Sequence, residues 1–176
     1  MALMASPAEV EPVEFSEAFR KTMELEGGGT LHKTPGDRGG WTKWGVSEAA
    51  HPELDIPNLT FEDAAVVARE DYYEAVGGDA LPPELRWHVF DMAYNAGSVR
   101  AATQLQRAVN LYHLTLGKDF LYVDGQVGPK TIAAVHALDA ARLVRLFQHE
   151  RRTHYVRLAM GRDSKFLHGW LARVDA

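Results

Sequence analysis

A glutamate followed by three glycines, "EGGG" at residues 26–29, is the first stretch of the chain whose residue types suggest chemistry. Glu26 follows Phe15, Phe19 and Met23 at steps of four, four and three, so it continues the apolar stripe of a predicted helix. Burial on that stripe and the negative end of the helix dipole both disfavour an ionised carboxylate. A carboxyl group that keeps its proton near neutral pH suits general acid catalysis.

The glycines after this glutamate suit a binding site. Gly27 can adopt the left-handed conformation that ends many helices, while Gly28 and Gly29 would let a ligand pass close to the backbone.

Two residues further along the chain could complete a hydrolytic site. Asp37 lies in the turn-like segment "PGDRGG", and Thr42 lies on the strand-like segment that follows. Taken alone, each is typical of an ordinary turn or strand residue. Together with Glu26 they supply a proton donor, an anion near a developing oxocarbenium ion and a hydroxyl to orient water, as a glycoside hydrolase requires. The long Glu26–Asp37 segment favours inversion, and retention stays open.

Aromatic and amide side chains near these residues suit sugar binding. We expect stacking on sugar rings from four of them and a hydrogen bond to an N-acetyl group from Asn95; the four are Trp41, Trp44, Tyr73 and Tyr94. Asp91 and Asn95 are four residues apart on a different face from the core stripe of their helix. They are therefore either a surface pair or part of the site.

Other chemistries have little support. The chain has no cysteine, which excludes disulfides and thiolate metal sites. His149 and His154 are five residues apart, off a common helix face, and no HExxH or GxSxG motif occurs. We therefore expect no metal and no cofactor. The net charge of -5 argues against a nucleic-acid partner.

The periodicity predicts a mainly α protein with one small N-terminal β-hairpin lobe. Residues 1–13 are expected to form a flexible arm, and a first helix is expected from Ser16 as N-cap to Glu26. Further helices are predicted at 60–76, 83–97, 99–111, from Pro129, at 140–160 and through "FLHGWLARV". Thr60 and Asp63 form a capping box, and Leu85, Val89, Met92 and Ala93 form a buried stripe. In "DGQVGPKT", residues 124–131, we expect Gly125 and Gly128 to shape a turn.

The first residues lack a basic segment and an apolar core, so no secretory signal is predicted. We expect the protein to be synthesised in the cytoplasm and exported with the help of another protein. We also expect it to be a monomer.

Several ordered motifs make the chain similar to one enzyme family. The segments "ELEGG…GDRGGWTKWGVS", "DALPPELRWHVFDMAYNAG", "AATQLQRAVN", "DGQVGPKTIAAV" and "FLHGWLARV" resemble the glycoside hydrolase family 108 N-acetylmuramidases, which include phage endolysins and bacterial muramidases. The resemblance implies a lysozyme-like fold in which Glu26 is the catalytic acid. It also implies a catalytic region at 14–110 and a C-terminal peptidoglycan-binding region at 111–176.

The resemblance makes peptidoglycan glycan strands the expected substrate, cleaved at the β-1,4 bond between N-acetylmuramic acid and N-acetylglucosamine. The expected place of action is the cell wall, reached with a holin or a secretion system. Two alternatives remain at this point: a lytic transglycosylase, which also needs one glutamate, and a non-catalytic peptidoglycan-binding protein.

Overall fold

The computed structural model describes residues 13–26, 28–33, 40–160 and 166–175, except for the side chains of residues 13 and 14. Its helices are α1 (Val13–Leu25), α2 (Phe61–Ala68), α3 (Pro83–Ala96), α4 (Ser98–Leu116), α5 (Pro129–His136), α6 (Ala140–Leu158) and α7 (Leu167–Asp175). Its strands are β1 (His32–Lys33), β2 (Trp41–Lys43) and β3 (Val46–Ser47). The predicted fold class, mainly α with a small N-terminal hairpin lobe, is confirmed. Apart from Val13, the predicted N-terminal arm lies outside the described residues.

Helix α1 buries the predicted stripe but begins earlier than its sequence suggested. Phe15, Phe19 and Met23 are all buried. The helix begins at Val13, so Ser16 lies inside it and the N-cap prediction for Ser16 is wrong.

The three short strands form one antiparallel sheet in the order β1-β2-β3. Thr42, at the centre of β2, pairs with His32 on one side and Ser47 on the other. The turn between β2 and β3 consists of Trp44 and Gly45, with φ of 53° and 78°. Positive φ at both central residues is the geometry that tight hairpins favour, because it matches the twist of the strands.

Helix α2 begins as predicted and ends earlier. The Thr60 side chain accepts a hydrogen bond from the Asp63 backbone N–H, and the Asp63 carboxylate accepts one from the Thr60 backbone, so the predicted capping box is confirmed. Beyond Ala68 the chain widens into a π-helical turn over Arg69–Tyr73. The helix predicted to reach Val76 therefore changes type near its middle.

Helix α3 is the central element, because two hydrophobic clusters meet on it. The predicted stripe of α3, Leu85, Val89, Met92 and Ala93, is completely buried in a cluster shared with α4, α5 and α6. Phe90, on another face, belongs to a second cluster with α1, β3 and α2. Helix α3 ends at Gly97, as predicted, and α4 follows at once.

In the described part of the C-terminal half, four helices, α4 to α7, accompany one long loop between α4 and α5. Helix α4 packs on α3 and α6, and α7 packs on α6. Residue 110, the predicted end of the catalytic region, lies inside the continuous helix α4. Gly125 has φ +74°, which confirms its expected turn role. Gly128 has φ -93° and an extended backbone, a conformation that any residue can adopt. The turn role predicted for Gly128 is therefore wrong.

No helix in these described ranges has both the length and the apolar character needed to cross a membrane.

Candidate active site

Glu26 lies one residue beyond the end of α1. Its backbone N–H donates to the Thr22 carbonyl at 3.1 Å, which continues the helical pattern by one bond. Its side chain is 33% exposed. Met23 is therefore the last buried residue of the stripe, and Glu26 lies outside it. A partly exposed carboxyl group at this position is within reach of a substrate. Gly27, with its predicted helix-ending role, lies outside the described residues.

A salt bridge joins Glu26 to the far end of the chain. The Nη1 atom of Arg173, on α7, lies 2.9 Å from Oε1 of Glu26. The sequence predicted an apolar environment for Glu26, and this part of the prediction is wrong, because the carboxyl group faces a guanidinium.

Asp91 is the centre of a buried ionic cluster behind this salt bridge. Arg151 Nη2 donates to Asp91 Oδ2 at 2.6 Å, and Arg173 Nε donates to Oδ1 and Oδ2 at 2.9 and 3.1 Å. The Thr22 hydroxyl adds a hydrogen bond to Oδ1 at 3.2 Å. Asp91 and Arg151 are completely buried, so the surface position considered for Asp91 is wrong; Asp91 is connected to Glu26 through Arg173.

Arg151 and Arg173 were not among the predicted site residues, although α6 carries a signal for Arg151. Arg151 lies at four-residue steps from Leu143, Phe147 and Tyr155, which are all buried. An arginine on the apolar face of a helix needs an anionic partner. Asp91 is that partner.

The β2–β3 turn forms a wall beside Glu26. A Cβ atom at Gly29 would lie only 2.1 Å from the Trp44 ring, so the chain just after Glu26 packs directly on this turn. The Tyr94 hydroxyl donates to the Trp44 carbonyl. Burial raises the pKa of Tyr94, and the charge of Glu26 raises it further. The Tyr94 hydroxyl therefore stays neutral near Glu26.

The other predicted site residues differ in where they lie. Asp37 lies outside the described residues. Thr42 is half-buried on β2, and Trp41 beside it is 37% exposed, with the Lys33 ammonium 5.6 Å from its ring centroid. Asn95 is exposed on α3 and donates to the Asp91 carbonyl at 3.3 Å.

Three predicted sugar-stacking residues are engaged in packing. Trp44 packs against Phe61, and Tyr94 anchors the hairpin turn. Tyr73 is 0% exposed and donates its hydroxyl to Asp79. A ring with no exposed face cannot stack on a sugar, so the structure corrects the prediction for Tyr73 and gives it a core role.

No group of three histidine, aspartate or glutamate side chains that could hold a metal ion occurs among the residues that the structure describes.

Comparison with known proteins adds to this geometry. The family model described as Glycosyl hydrolase 108 matches residues 19–97, and the one described as Predicted Peptidoglycan domain matches residues 100–175. Among solved structures, Brucella abortus SagA is 30% identical with a TM-score of 0.72, over 92% of this chain and 89% of that chain. A search of the curated proteins finds no match.

Fold, site and comparisons together define the chain as a glycosidase that acts on peptidoglycan, with a lysozyme-like, mainly α fold. It belongs to glycosyl hydrolase family 108.

Proposed function

We propose that this peptidoglycan hydrolase is an N-acetylmuramidase, which cleaves the β-1,4 bond between N-acetylmuramic acid and N-acetylglucosamine, and that Glu26 is its general acid. The position of Glu26 carries the proposal. In a chain of a glycosidase family, this carboxyl group lies one-third exposed at the end of α1, beside the wall formed by the β2–β3 turn.

The reaction needs a proton at the glycosidic oxygen. Protonated Glu26 gives its proton to that oxygen while the bond from the oxygen to C1 of N-acetylmuramic acid breaks. Water then adds to C1 and releases a proton, which leaves a reducing muramic-acid end. The Arg173 guanidinium, 2.9 Å away, stabilises the carboxylate that Glu26 becomes.

Other residues are assigned supporting roles in the same proposal. Asp37 supplies the anion that stabilises the oxocarbenium-like transition state, and Thr42 orients the attacking water. Trp41 is the best-placed aromatic contact for a sugar, because its ring is partly exposed on β2. Asn95 is exposed on α3 and is available to an N-acetyl group.

The test of Glu26 is the substitution Glu26→Gln, which keeps the shape of the side chain and removes the transferable proton. We expect clearing of purified cell walls to slow by at least about 10²-fold, the usual contribution of a general acid. Glu24→Gln is the matched control, because Glu24 is an exposed glutamate on α1, two residues before Glu26. Clearing by folded Glu26→Gln at the wild-type rate would reject the assignment.

The products identify the bond and the reaction type. Mass spectrometry of digested walls should find reducible N-acetylmuramic acid ends. Anhydro-muramic ends would instead identify a lytic transglycosylase, and reducible glucosamine ends a glucosaminidase. Release of no fragments at all would favour the non-catalytic binding protein.

An endolysin role is the last part of the proposal, and it rests on the resemblance of the motifs to the phage endolysins of the family. In this role a holin or a secretion system delivers the enzyme to the wall. Lysis of a bacterial host that makes the protein together with a holin, but not of one that makes the protein alone, would support it. Lysis without a holin would contradict it.

A further inference from the structure

The salt bridge between Glu26 and Arg173 crosses the boundary between the two family regions. Glu26 lies in the region that matches Glycosyl hydrolase 108, and Arg173 in the one that matches the peptidoglycan domain. The Arg173 side chain is 8% exposed, whereas the Glu26 side chain is 33% exposed. The arginine is therefore the fixed partner and the glutamate the accessible one.

Other contacts hold the Arg173 guanidinium in place. Its Nε atom donates to both carboxylate oxygens of Asp91, and its Nη2 atom donates to the Thr22 carbonyl at 3.4 Å. Asp91 is in turn held by Arg151 and by the Thr22 hydroxyl. Of its nitrogen atoms, only Nη1 contacts Glu26. The contacts of Nε and Nη2 therefore hold the guanidinium in place whatever position the Glu26 carboxyl group adopts.

The cluster behind Glu26 carries an excess positive charge. Two buried arginines, Arg151 and Arg173, face one buried aspartate, Asp91. Glu26 supplies a second carboxyl group opposite Arg173. Because a buried charge without a partner is costly, the cluster holds the Glu26 carboxyl group at Arg173.

The neighbouring titratable groups do not offset this charge at working pH. Burial raises the pKa of Tyr94 on α3, so its hydroxyl is neutral. Burial, with Arg151 and Lys21, lowers the pKa of His88 on α3 to about 4. His88 is therefore neutral near pH 7, and the arginine excess is the charge that Glu26 meets.

We propose that Arg173 is a positioning residue for Glu26: its guanidinium, held by Asp91 and Thr22, orients the Glu26 carboxyl group at 2.9 Å, so the C-terminal helix α7 completes the active site. The proposal rests on Glu26 being the general acid. A proton donor contributes fully only when its carboxyl group is held within hydrogen-bond reach of the leaving oxygen, and a fixed arginine beside it supplies that restraint.

The substitution Arg173→Gln tests this role through the separate values of kcat and KM. Initial rates are measured on soluble peptidoglycan glycan fragments. We expect kcat to fall at least about 10-fold with little change in KM, because a misplaced acid weakens the chemical step and not substrate binding.

Two variants separate this role from a structural one. Arg152→Gln breaks another α6–α7 ion pair, to Asp175, that does not touch Glu26; its kcat and KM should match those of the wild type. Arg173→Lys keeps the positive charge but lacks the planar fork that reaches Asp91 and Glu26 together. Its kcat should fall by less than that of Arg173→Gln, again with little change in KM, and this fall is the test if Arg173→Gln does not fold.

The outcomes distinguish this proposal from the assignment of Glu26. An unchanged kcat in the folded Arg173 variants, or an equal fall of kcat in Arg152→Gln, would overturn the role of Arg173 while Glu26→Gln stays inactive. Wild-type activity of Glu26→Gln would overturn both.

Discussion

Four side chains from four helices meet at the Asp91 carboxylate. Thr22 comes from α1, Asp91 from α3, Arg151 from α6 and Arg173 from α7. The Asp91 carboxylate accepts a hydrogen bond from each of the other three side chains. Because charges are costly to bury without partners, this arrangement is stable only while the set is complete. It therefore couples the geometry of Glu26 to the packing of the whole molecule.

Asp91→Asn should destabilise the fold strongly. The amide keeps the shape of the side chain but leaves buried Arg151 without its anion and Arg173 with only Glu26, so we expect unfolding free energy to fall by about 3–5 kcal/mol, as for a broken buried pair. Chemical denaturation measures the loss. Asp175→Asn is the control, since it breaks the exposed pair with Arg152 and should cost less than about 1 kcal/mol. Equal losses would show that the buried cluster contributes little.

At the level of elements, the loop over 118–128 is held by one face of α4. Gln106, Asn110 and His113 are spaced four and three residues apart. Asn110 exchanges two hydrogen bonds with the Leu121 backbone at 2.7 and 2.9 Å, and His113 Nδ1 donates to the Asp119 carbonyl at 2.6 Å. Gln106 accepts from the Gly125 N–H and donates to the Gln126 carbonyl. These contacts order a segment without helix or strand.

Gly125 and Gly128 should differ sharply when each is changed to serine. Gly125 has φ +74°, and a Cβ atom there would lie 2.9 Å from the Val99 side chain, so we expect Gly125→Ser to cost at least about 1–2 kcal/mol. Gly128 has open space around its Cβ position and precedes α5 as N-cap. Serine is favoured at N-caps, so Gly128→Ser should be neutral or stabilising. Denaturant titration compares the two, and a larger loss for Gly128→Ser would contradict the loop description.

Periodicity predicted the elements well and their tertiary partners poorly. The stripes of α1 and α3 are buried as expected, since apolar spacing reports the face of a helix directly. Helix ends were less accurate, because Ser16 has the chemistry of an N-cap but lies inside α1. The ionic cluster was missed because Arg151 and Arg173 lie 60 and 82 residues beyond Asp91. Local patterns do not report such distant pairing, and the burial of Tyr73 likewise depends on Phe15 and Phe90 from other helices.

At the scale of the whole molecule, the two family regions share structural elements instead of meeting at a loose boundary. The match to the first family model ends at residue 97, and the match to the second begins at residue 100. Helix α3 is followed by α4 at this place, with only Gly97 between them. Helix α3 contributes to both hydrophobic clusters, and Asp91 on the same helix holds side chains of α6 and α7. Unfolding of the C-terminal region would expose the α3 stripe and leave Asp91 without its arginines.

We therefore expect the two regions to unfold together. Differential scanning calorimetry should show one transition, with a calorimetric enthalpy close to the van't Hoff enthalpy, as for a single cooperative unit. Hydrogen exchange should give the most protected amides of α3 and α6 the same opening free energy, because both open only in global unfolding. Arg152→Gln, which alters only an exposed pair, should keep the single transition. Two resolved transitions in the wild type would mean that the C-terminal region is a separate module, and α7 would then be free to leave Glu26 without disturbing the fold around it.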